Sequence, residues 1–211
     1  DLVRSGLPPL ALRCSAHPVI PAVVAAAGTP LAAPSANRFG RISPVSALHV
    51  VEELGGRIPL VLDGGECRHG LESTIVRVED GRLVLLRPGP VTREELERFA
   101  PLERAGRTAG VSAPGMLESH YAPRTPLRIL GDAGVPADAG SCGLLSFGGG
   151  RGEGFALVEE LPADPRLAAP LFFAALRRLD AAGLPRIYAQ QVEDSGLGSA
   201  IMDRLRRAAH E

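Results

Sequence analysis

The sequence predicts an α/β protein with a mixed sheet, followed by an extended linker and a small second α/β unit. Patterns typical of strands and helices alternate along the first half of the chain, as in layered α/β folds. Asp80-Gly81 between two apolar runs predicts a β-hairpin, which makes the sheet mixed rather than purely parallel. Regular periodicity disappears over 103–126. We therefore divide the chain into a first unit over 1–102, a linker over 103–126 and a second unit over 127–211.

The first unit is expected to begin with a strand, a helix and a second strand. His17-Pro18 precedes an apolar run over Val19–Ala27, and the glycine at position 28 is typical of a helix end, so we predict a helix there. Short apolar runs before it, after it and further along predict buried strands. These strands are expected at Leu10–Cys14, Leu31–Ala33 and Pro59–Leu62.

Two more helices and a hairpin complete the first unit. Ser43-Pro44 has a serine suited to a helix cap and a proline suited to the first helical position, so a helix is expected from there to Leu54. Thr92 and Glu95 have the spacing of a capping box, which predicts a short helix. The two arms of the hairpin are expected at Ser73–Val78 and Leu83–Arg87.

The second unit combines strand patterns with two helices whose apolar residues recur at helical spacing. The strands are expected at Leu127–Leu130, Cys142–Phe147 and Arg186–Gln190, and the helices at Asp164–Ala182 and Leu197–Ala209. The linker before it is rich in glycine and proline, yet A-P-G-M-L-E-S-H-Y-A-P over 113–123 contains Met, His and Tyr. Such residues pack or bind, so a docked functional loop is favoured, with a structural staple as the alternative.

Composition excludes several kinds of chemistry. The 211 residues include 23 basic side chains, all arginine, and 24 acidic ones, for a formal net charge of −1. Without lysine, this chain cannot supply a Schiff base, a P-loop lysine or an adenylylated lysine, although a GC-rich genome is a sufficient reason for the bias. The balanced charge argues against broad electrostatic binding of nucleic acid, leaving a local arginine patch open.

The distribution of the cysteines indicates a reducing compartment, and the hydropathy pattern contains no candidate membrane span. The three cysteines are far apart and form no C-x-x-C pair, and the five histidines do not have metal-ligand spacing. This favours reduced thiols in the cytoplasm over a disulfide framework or a zinc site. No apolar run reaches the ~18 residues of a membrane span. A lone aspartate at a strand end, Asp63, could bind magnesium, but such aspartates are common, and the metal ligands stay unknown.

Three short motifs place polar groups where strands meet turns. A-P-S-A-N-R-F-G-R-I-S-P over 33–44 offers small polar side chains and helix-start amides to an anion, or is an ordinary turn with a helix cap. G-L-E-S-T over 70–74 brings a carboxylate and two hydroxyls to a strand entry, where they would need polar partners or a polar ligand. A glycine turn with strand-start hydroxyls is the alternative there. Arg87, before Pro-Gly, suits bidentate recognition of phosphate or carboxylate, or is a solvated surface arginine.

In this order, the motifs resemble the long-form L-threonylcarbamoyladenylate synthase family, in which an extended linker joins a YrdC-type catalytic domain to a smaller C-terminal domain. The resemblance covers essentially the whole chain and implies that 1–102 is the C-terminal portion of a YrdC-type domain with a mixed twisted sheet. The matching segments are L-A-L-R-C-S-A-H-P at 10–18, A-P-S-A-N-R-F-G-R-I-S-P at 33–44, L-D-G-G at 62–65, G-L-E-S-T at 70–74, L-R-P-G at 86–89, A-P-G-M-L-E-S-H-Y-A-P at 113–123 and G-L-G-S-A-I-M-D-R-L at 196–205.

The resemblance implies a nucleotidyltransferase. The family condenses L-threonine, bicarbonate and ATP into L-threonylcarbamoyl-AMP with release of pyrophosphate, with Mg²⁺ expected alongside ATP. A separate transferase system then passes the threonylcarbamoyl group to an adenosine of certain tRNAs. The resemblance therefore implies a cytoplasmic enzyme of tRNA processing, with tRNA itself as a further candidate partner.

Site residues follow from the matching motifs. The L-threonine-binding residues implied are Arg13, Ala33 and Ser73, and the ATP-binding residues implied are Ser35, Asn37, Ser43, Arg87, His120 and Tyr121. The adjacent histidine and tyrosine would bring the linker over the site as a lid.

One departure from the family is large. Its catalytic domain normally begins well upstream, with a nucleotide motif containing lysine and arginine that nothing in this chain matches. We therefore expect a fragment, or a chain completed by another chain, with uncovered apolar surface and no synthesis of threonylcarbamoyl-AMP on its own. The alternatives are a nucleotide- or RNA-binding module without catalysis, and a carbamoyl-transfer maturation factor with a related domain. The linker and second unit count against the last.

Overall fold

Two sheets, one in each unit, organise the computed structural model, which describes residues 10–13, 15–104, 120–131, 134–149 and 152–209. The elements of the first unit are α1 (Val19–Ala27), α2 (Ala47–Leu54), β1 (Ile75–Glu79), β2 (Arg82–Arg87), α3 (Arg93–Leu96) and β3 (Leu102–Arg104). Those of the second unit are β4 (Leu127–Ile129), β5 (Gly143–Phe147), β6 (Leu157–Leu161), α4 (Pro165–Ala181), β7 (Ile187–Ala189) and α5 (Gly196–Ala208). The predicted α/β class is confirmed.

The first sheet is mixed, as predicted. β1 and β2 form an antiparallel hairpin around Asp80 and Gly81, whose φ angles are 47° and 75°. Tight hairpin turns of this kind need positive φ at both central residues, which aspartate and glycine tolerate. β3 then pairs with β2 in parallel. The sequence did not predict β3, because its three residues, Leu-Glu-Arg, form no apolar run.

Three predicted strands of the first unit are wrong. The segments at 10–13, 31–33 and 59–62 pair with no other strand within the described ranges, and Cys14 lies outside them. An apolar run becomes a strand when a neighbour accepts and donates its backbone hydrogen bonds, and these segments have no such neighbour in the described part of the chain. Their leucines are correspondingly exposed, with Leu12 at 86% and Leu60 at 69%. We call these three stretches the open segments.

The helices of the first unit follow their local signals closely. α1 occupies the predicted residues, and Thr92 and Glu95 form both hydrogen bonds of the predicted capping box at α3. The predicted start of α2 at Ser43-Pro44 is wrong. Ser46 is the N-cap instead, because its hydroxyl accepts the backbone hydrogen bond at the start of the helix.

The second sheet is parallel, with strand order β4-β7-β5-β6. Alternate side chains point to opposite faces, so Leu145 and Ile187 join the core formed with α4 and α5, while Leu144 and Tyr188 pack on the other face. The predicted helices and the strands β4, β5 and β7 are confirmed apart from their end residues. β6 was not predicted, since L-V-E-E-L does not alternate between apolar and polar residues.

The two units share one hydrophobic core. Ile42, Val45 and Leu71 of the first unit belong to the same buried cluster as the apolar residues of α4 and α5. Gly70 packs directly on α4, because a Cβ there would lie 2.2 Å from the carbonyl oxygen of Ala169. Its φ of 64° is a second reason for glycine at this position. The strand entry at 70–74 is therefore held in place by the second unit.

Within the described ranges, no helix has the length and hydropathy needed to cross a membrane.

Candidate substrate-binding site

A partly buried polar cluster lies between the two units around Glu72, whose side chain is 19% exposed. The Ser43 hydroxyl donates to one carboxylate oxygen of Glu72, and Arg204 Nε donates to the other at 3.0 Å. Arg204 also donates from Nη1 to the Pro88 carbonyl oxygen at 2.6 Å and from Nη2 to the Glu72 carbonyl oxygen at 3.3 Å. Because burying a carboxylate is costly unless it is paired and hydrogen-bonded, these contacts fix the side chain of Glu72 in one orientation.

Arg87, at the end of β2, holds the backbone beside this carboxylate. Its Nε and Nη2 both donate to the Ser73 carbonyl oxygen, at 3.1 and 2.9 Å, and Nη2 lies 3.4 Å from the Ser73 hydroxyl. The arginine is only 8% exposed, so it is not a solvated surface residue. Burial lowers the pKa of Arg87, and the neighbouring Tyr121 acts in the opposite direction. Arg87 therefore positions Ser73, whose own side chain is exposed.

Gly89 brings two of the predicted motifs into direct contact. A Cβ at this position would lie 2.4 Å from the Thr74 backbone nitrogen and 2.6 Å from the Glu72 carbonyl oxygen. No side chain fits in that space, so L-R-P-G can pack on G-L-E-S-T in this way only with glycine. The two motifs form one structural unit.

The last residues of the linker dock into the same region. Tyr121 is 1% exposed, with its ring 5.7 Å from that of Phe173, and the Arg204 guanidinium carbon lies 5.4 Å from the centre of the Tyr121 ring. Its hydroxyl oxygen is buried, with the Arg87 side chain beside it. Burial and the nearby Glu72 carboxylate raise the pKa of Tyr121.

Backbone contacts on both sides hold this end of the linker. The Ala122 nitrogen donates to the Gly40 carbonyl oxygen at 2.8 Å, and the His120 nitrogen donates to the Arg207 carbonyl oxygen at 3.2 Å. The linker end therefore lies between the turn at 33–44 and α5. Burial lowers the pKa of the His120 imidazole, which keeps the ring neutral at neutral pH.

Asn37 shapes the turn at 33–44. Its Nδ2 donates to the carbonyl oxygens of Arg38 and Arg41, at 3.0 and 2.9 Å, and the Arg38 nitrogen donates to Glu53 at 2.9 Å. The Asn37 Oδ1 atom is buried and has no partner in the described part of the chain. The asparagine thus stabilises the backbone from which Ser35 projects.

The structure brings together some of the predicted site residues and leaves others at the surface. Those gathered around the carboxylate form what we call the Glu72 cluster, which consists of Glu72, Ser43, Ser73, Arg87, Tyr121 and Arg204. Arg13, Ala33 and Ser35 are exposed. Neither polar side chain of these three makes a hydrogen bond or an ion pair with another described residue, so the structure does not join them to the cluster.

The carboxylate of Asp63, the candidate magnesium ligand, takes part in a local turn. Asp63 Oδ1 accepts a hydrogen bond from the Gly65 nitrogen at 2.9 Å, and the side chain is exposed. The described residues contain no group of three histidine, cysteine, aspartate or glutamate side chains placed to hold a metal ion.

The family assignment rests on both halves of the chain. A family model described as threonylcarbamoyl-AMP synthase, C-terminal domain, matches residues 91–210, which is more than half of the chain. The chain belongs to the long-form threonylcarbamoyl-AMP synthase family. A second family model, described as telomere recombination, matches residues 1–89. The predicted membership is confirmed.

Relatives with the name threonylcarbamoyl-AMP synthase match nearly all of this chain. The Pyrococcus abyssi protein is 34% identical over 231 residues, which cover 99% of this chain and 66% of that protein. The Bacillus subtilis protein is 35% identical over 226 residues, covering 98% and 65%. The Schizosaccharomyces pombe protein is 31% identical over 240 residues, covering 99% and 59%. The chain therefore spans about two thirds of the length of the first two synthases and 59% of the third.

Solved structures of a synthase relative share the fold. Pyrococcus abyssi Sua5 in complex with L-threonine superposes with a TM-score of 0.84 at 33% identity, covering 99% of this chain and 66% of that one. A variant of the same protein, with a histidine and the tyrosine after it both replaced by alanine, has a TM-score of 0.83 at 32% identity, covering 97% and 64%.

Sequence reasoning missed Arg204, although this synthase-family chain carries a signal for it. Arg204 follows the buried residues Ala200 and Ile201 by four and three positions, so it lies on the apolar face of α5. A charged side chain on an apolar helix face predicts a buried ion pair. Arg177 on α4 was also missed, and no comparable sequence signal separates it from its neighbour Arg178.

Proposed function

We propose that this chain acts in the synthesis of L-threonylcarbamoyl-AMP and pyrophosphate from L-threonine, bicarbonate and ATP. In this proposal it is a nucleotidyltransferase whose product a separate transferase system attaches to tRNA. One observation carries the proposal. The motifs at 33–44, 70–74 and 86–89, which are distant in sequence, converge on the Glu72 cluster in a chain that belongs to the synthase family.

The reaction requires two reactants to be oriented and charge to be stabilised. A threonine carbamate oxygen bonds to the α-phosphorus of ATP while the bond to the pyrophosphate oxygen breaks, so negative charge grows on the phosphate oxygens. In our proposal Ser73 presents its exposed hydroxyl to L-threonine, and Arg87 fixes the backbone behind it. Arg13 and Ala33 complete the threonine side of the pocket.

The nucleotide side is assigned to the turn and the linker end. Ser35 projects from the turn that Asn37 stabilises, so its hydroxyl and the neighbouring amides are available to phosphate oxygens. Ser43 and Tyr121 are buried in the Glu72 cluster, and we propose that they act by holding that cluster under the nucleotide. His120, beside Tyr121, is proposed to face ATP as a neutral ring.

Mg²⁺ is proposed to accompany ATP. Bound to the phosphates, the ion would neutralise charge on the leaving pyrophosphate. Mg²⁺ at such sites is commonly held by one or two carboxylates together with phosphates and water.

We propose the cytoplasm as the compartment, supported by the dispersed cysteines. Direct binding of tRNA is not part of the proposal, since the net charge is −1.

Calorimetric titration of the purified 211-residue chain tests the binding part of the proposal. We expect Mg-ATP to bind more tightly with L-threonine present, and Ser73→Ala to abolish that enhancement. Ser141→Ala, in a turn of the second unit, is the matched control and should leave it intact. Salt-sensitive binding of tRNA without threonine-dependent binding of ATP would contradict the proposal and indicate an RNA-binding module instead.

Pyrophosphate release tests whether the chain works alone. We expect background rates from the isolated chain, because the open segments and the exposed Arg13, Ala33 and Ser35 leave one side of the pocket in solvent within the described residues. Robust turnover dependent on ATP and L-threonine would overturn this expectation and support the activity directly.

A further inference from the structure

We infer that Arg204 of α5 is a positioning residue of the active site, through which the second unit sets the orientation of Glu72 and Tyr121. The contacts of Arg204 support the positioning itself. Its effect on substrate binding rests on the proposed function. It gives the second unit a role in the site itself, beyond holding the linker.

A single guanidinium joins three separate parts of the chain. Arg204 is 0% exposed, and it donates to the Glu72 carboxylate at 3.0 Å, to the Glu72 carbonyl oxygen at 3.3 Å and to the Pro88 carbonyl oxygen at 2.6 Å. Its guanidinium carbon lies 5.4 Å from the centre of the Tyr121 ring. The planar fork of arginine can bond in several directions at once and still attract an aromatic ring, which a lysine ammonium cannot do in the same way.

The local charges favour a positional role for this arginine. Arg204 Nη1 also lies 3.1 Å from the Asp203 carboxylate, so the cation is shared between two acidic side chains. Buried ion pairs contribute little net stability compared with apolar residues of the same size, because desolvation offsets their attraction. What Arg204 provides that an apolar residue could not is a fixed orientation of Glu72, and through it of Ser43.

A second interdomain arginine supplies a matched control. Arg177 of α4 donates to the Ile42 carbonyl oxygen at 2.6 Å and to Glu53, with its side chain only 13% exposed. It also donates from Nε to the Ser43 carbonyl oxygen at 3.4 Å, but none of its hydrogen bonds among the described residues reaches Glu72 or Tyr121. Loss of either arginine should weaken the interface, and only loss of Arg204 should disturb the tyrosine.

The test follows Tyr121 directly. The chain has two tyrosines and no tryptophan, so Tyr188→Phe leaves Tyr121 as the single tyrosine reporter. In that background, Arg204→Met should abolish the near-ultraviolet circular dichroism of Tyr121 while far-ultraviolet dichroism is retained. Arg177→Met should keep the near-ultraviolet signal. An unchanged signal in a folded Arg204→Met variant would overturn the inference.

Ionisation of the Tyr121 phenol, followed by phenolate absorbance, gives a second readout. The charged groups facing the phenol are Glu72, Asp203, Arg87 and Arg204, and the two arginines lower its pKa against the effect of burial. Arg204→Met should therefore raise the Tyr121 pKa further, whereas unfolding would return it towards the ordinary value of 10.0. Arg204→Lys keeps the positive charge, so the pKa of Tyr121 in this variant should stay near its value in the parent, while the near-ultraviolet signal of Tyr121 weakens. A pKa that does not rise in folded Arg204→Met would count against the inference.

Ligand binding separates this inference from the proposed function. We expect Arg204→Met to weaken L-threonine-dependent ATP binding by about tenfold or more, as for a displaced group in a preorganised site, and Arg177→Met to weaken it less. If the parent chain shows no such binding, the proposed function fails and the tyrosine signals still decide whether Arg204 positions Tyr121. If the parent binds and Arg204→Met binds equally well, the inference fails and the proposed function stands.

Discussion

Buried arginine side chains carry much of the polar contact described around the site. Arg87 bonds the Ser73 carbonyl oxygen within the first unit, while Arg177 and Arg204 bond carbonyl oxygens of the first unit from the second. A guanidinium can make several such bonds at once and is less strongly hydrated than an ammonium, so burying it is less costly. A GC-rich genome is a sufficient reason for the absence of lysine. At these three positions arginine also makes several hydrogen bonds at once, which a lysine could not make in the same geometry.

Substitution of Gly89 should be poorly tolerated at this site. We expect Gly89→Ala to lower the free energy of unfolding by about 1–3 kcal/mol, the usual cost of overpacking, since the new Cβ would press on the backbone of Thr74 and Glu72. Urea denaturation measures the loss. Gly131→Ala is the control, because a Cβ there meets nothing within 4 Å and its φ is not positive. Equal stability of the two variants would contradict the packing argument.

His120 should make stability depend on pH. Burial lowers its pKa below 6.5, and Arg207, Arg87 and Arg204 act in the same direction, against Glu72. The unfolded chain then binds the proton more readily, so the contribution of His120 is complete above pH 6.5 and is lost as the pH falls through the folded pKa.

The measurement for His120 is the free energy of unfolding between about pH 7 and about pH 5. His120→Asn should flatten the decline seen in the parent. His49, whose pKa burial also lowers, accounts for part of the remaining slope and provides the comparison variant His49→Asn. If the parent and His120→Asn curves run parallel, the imidazole is not the group that titrates.

At the scale of elements, the helices were predicted more reliably than the strands. α1, α4, α5 and the capping box of α3 depend on signals within a few residues of their ends, which the sequence displays. The open segments have equally clear apolar patterns but no partner strand among the described residues. β3 and β6 were missed for the opposite reason, since their weak patterns are stabilised by neighbouring strands.

Two consecutive arginines of α4, Arg177 and Arg178, differ in how far their side chains are buried. Arg177 pairs with Glu53 where both side chains are nearly buried, at 13% and 11% exposure, whereas Arg178 pairs with Glu159 while 57% exposed. We expect Arg177→Met to cost about 3 kcal/mol, because it leaves a nearly buried carboxylate without its cation and with only the hydrogen bond from the Arg38 nitrogen, and Arg178→Met to cost less than about 1 kcal/mol. Thermal and urea unfolding of both variants give the comparison, and equal losses would show that burial of Glu53 is unimportant.

At the scale of the whole molecule, the two units differ in how completely they are covered. The second unit encloses its sheet between α4 and α5 on one face and a smaller apolar cluster on the other. The first unit shows large apolar side chains along the open segments, and α1 has no buried residue. The exposed apolar surface expected from the family resemblance is therefore present among the described residues.

This surface should bind an apolar dye. We expect anilinonaphthalene sulfonate fluorescence to rise with the native chain, and the double variant Leu12→Ser with Leu60→Ser to reduce it without loss of stability, since both leucines are already in solvent. Leu167→Ser, an exposed leucine of α4, is the control and should change the fluorescence little. Unchanged dye binding in the double variant would place the apolar surface elsewhere.

The sequence by itself determined the helices, the hairpin turn, the linker end that docks and the family, because each depends on local residue patterns or on the order of motifs. Tertiary structure alone decided that Ser43 bonds Glu72 rather than capping α2, and that Arg204 reaches across from α5 to the same carboxylate. Such contacts join residues far apart in the chain, and their stability comes from mutual burial and hydrogen bonding that no local pattern records.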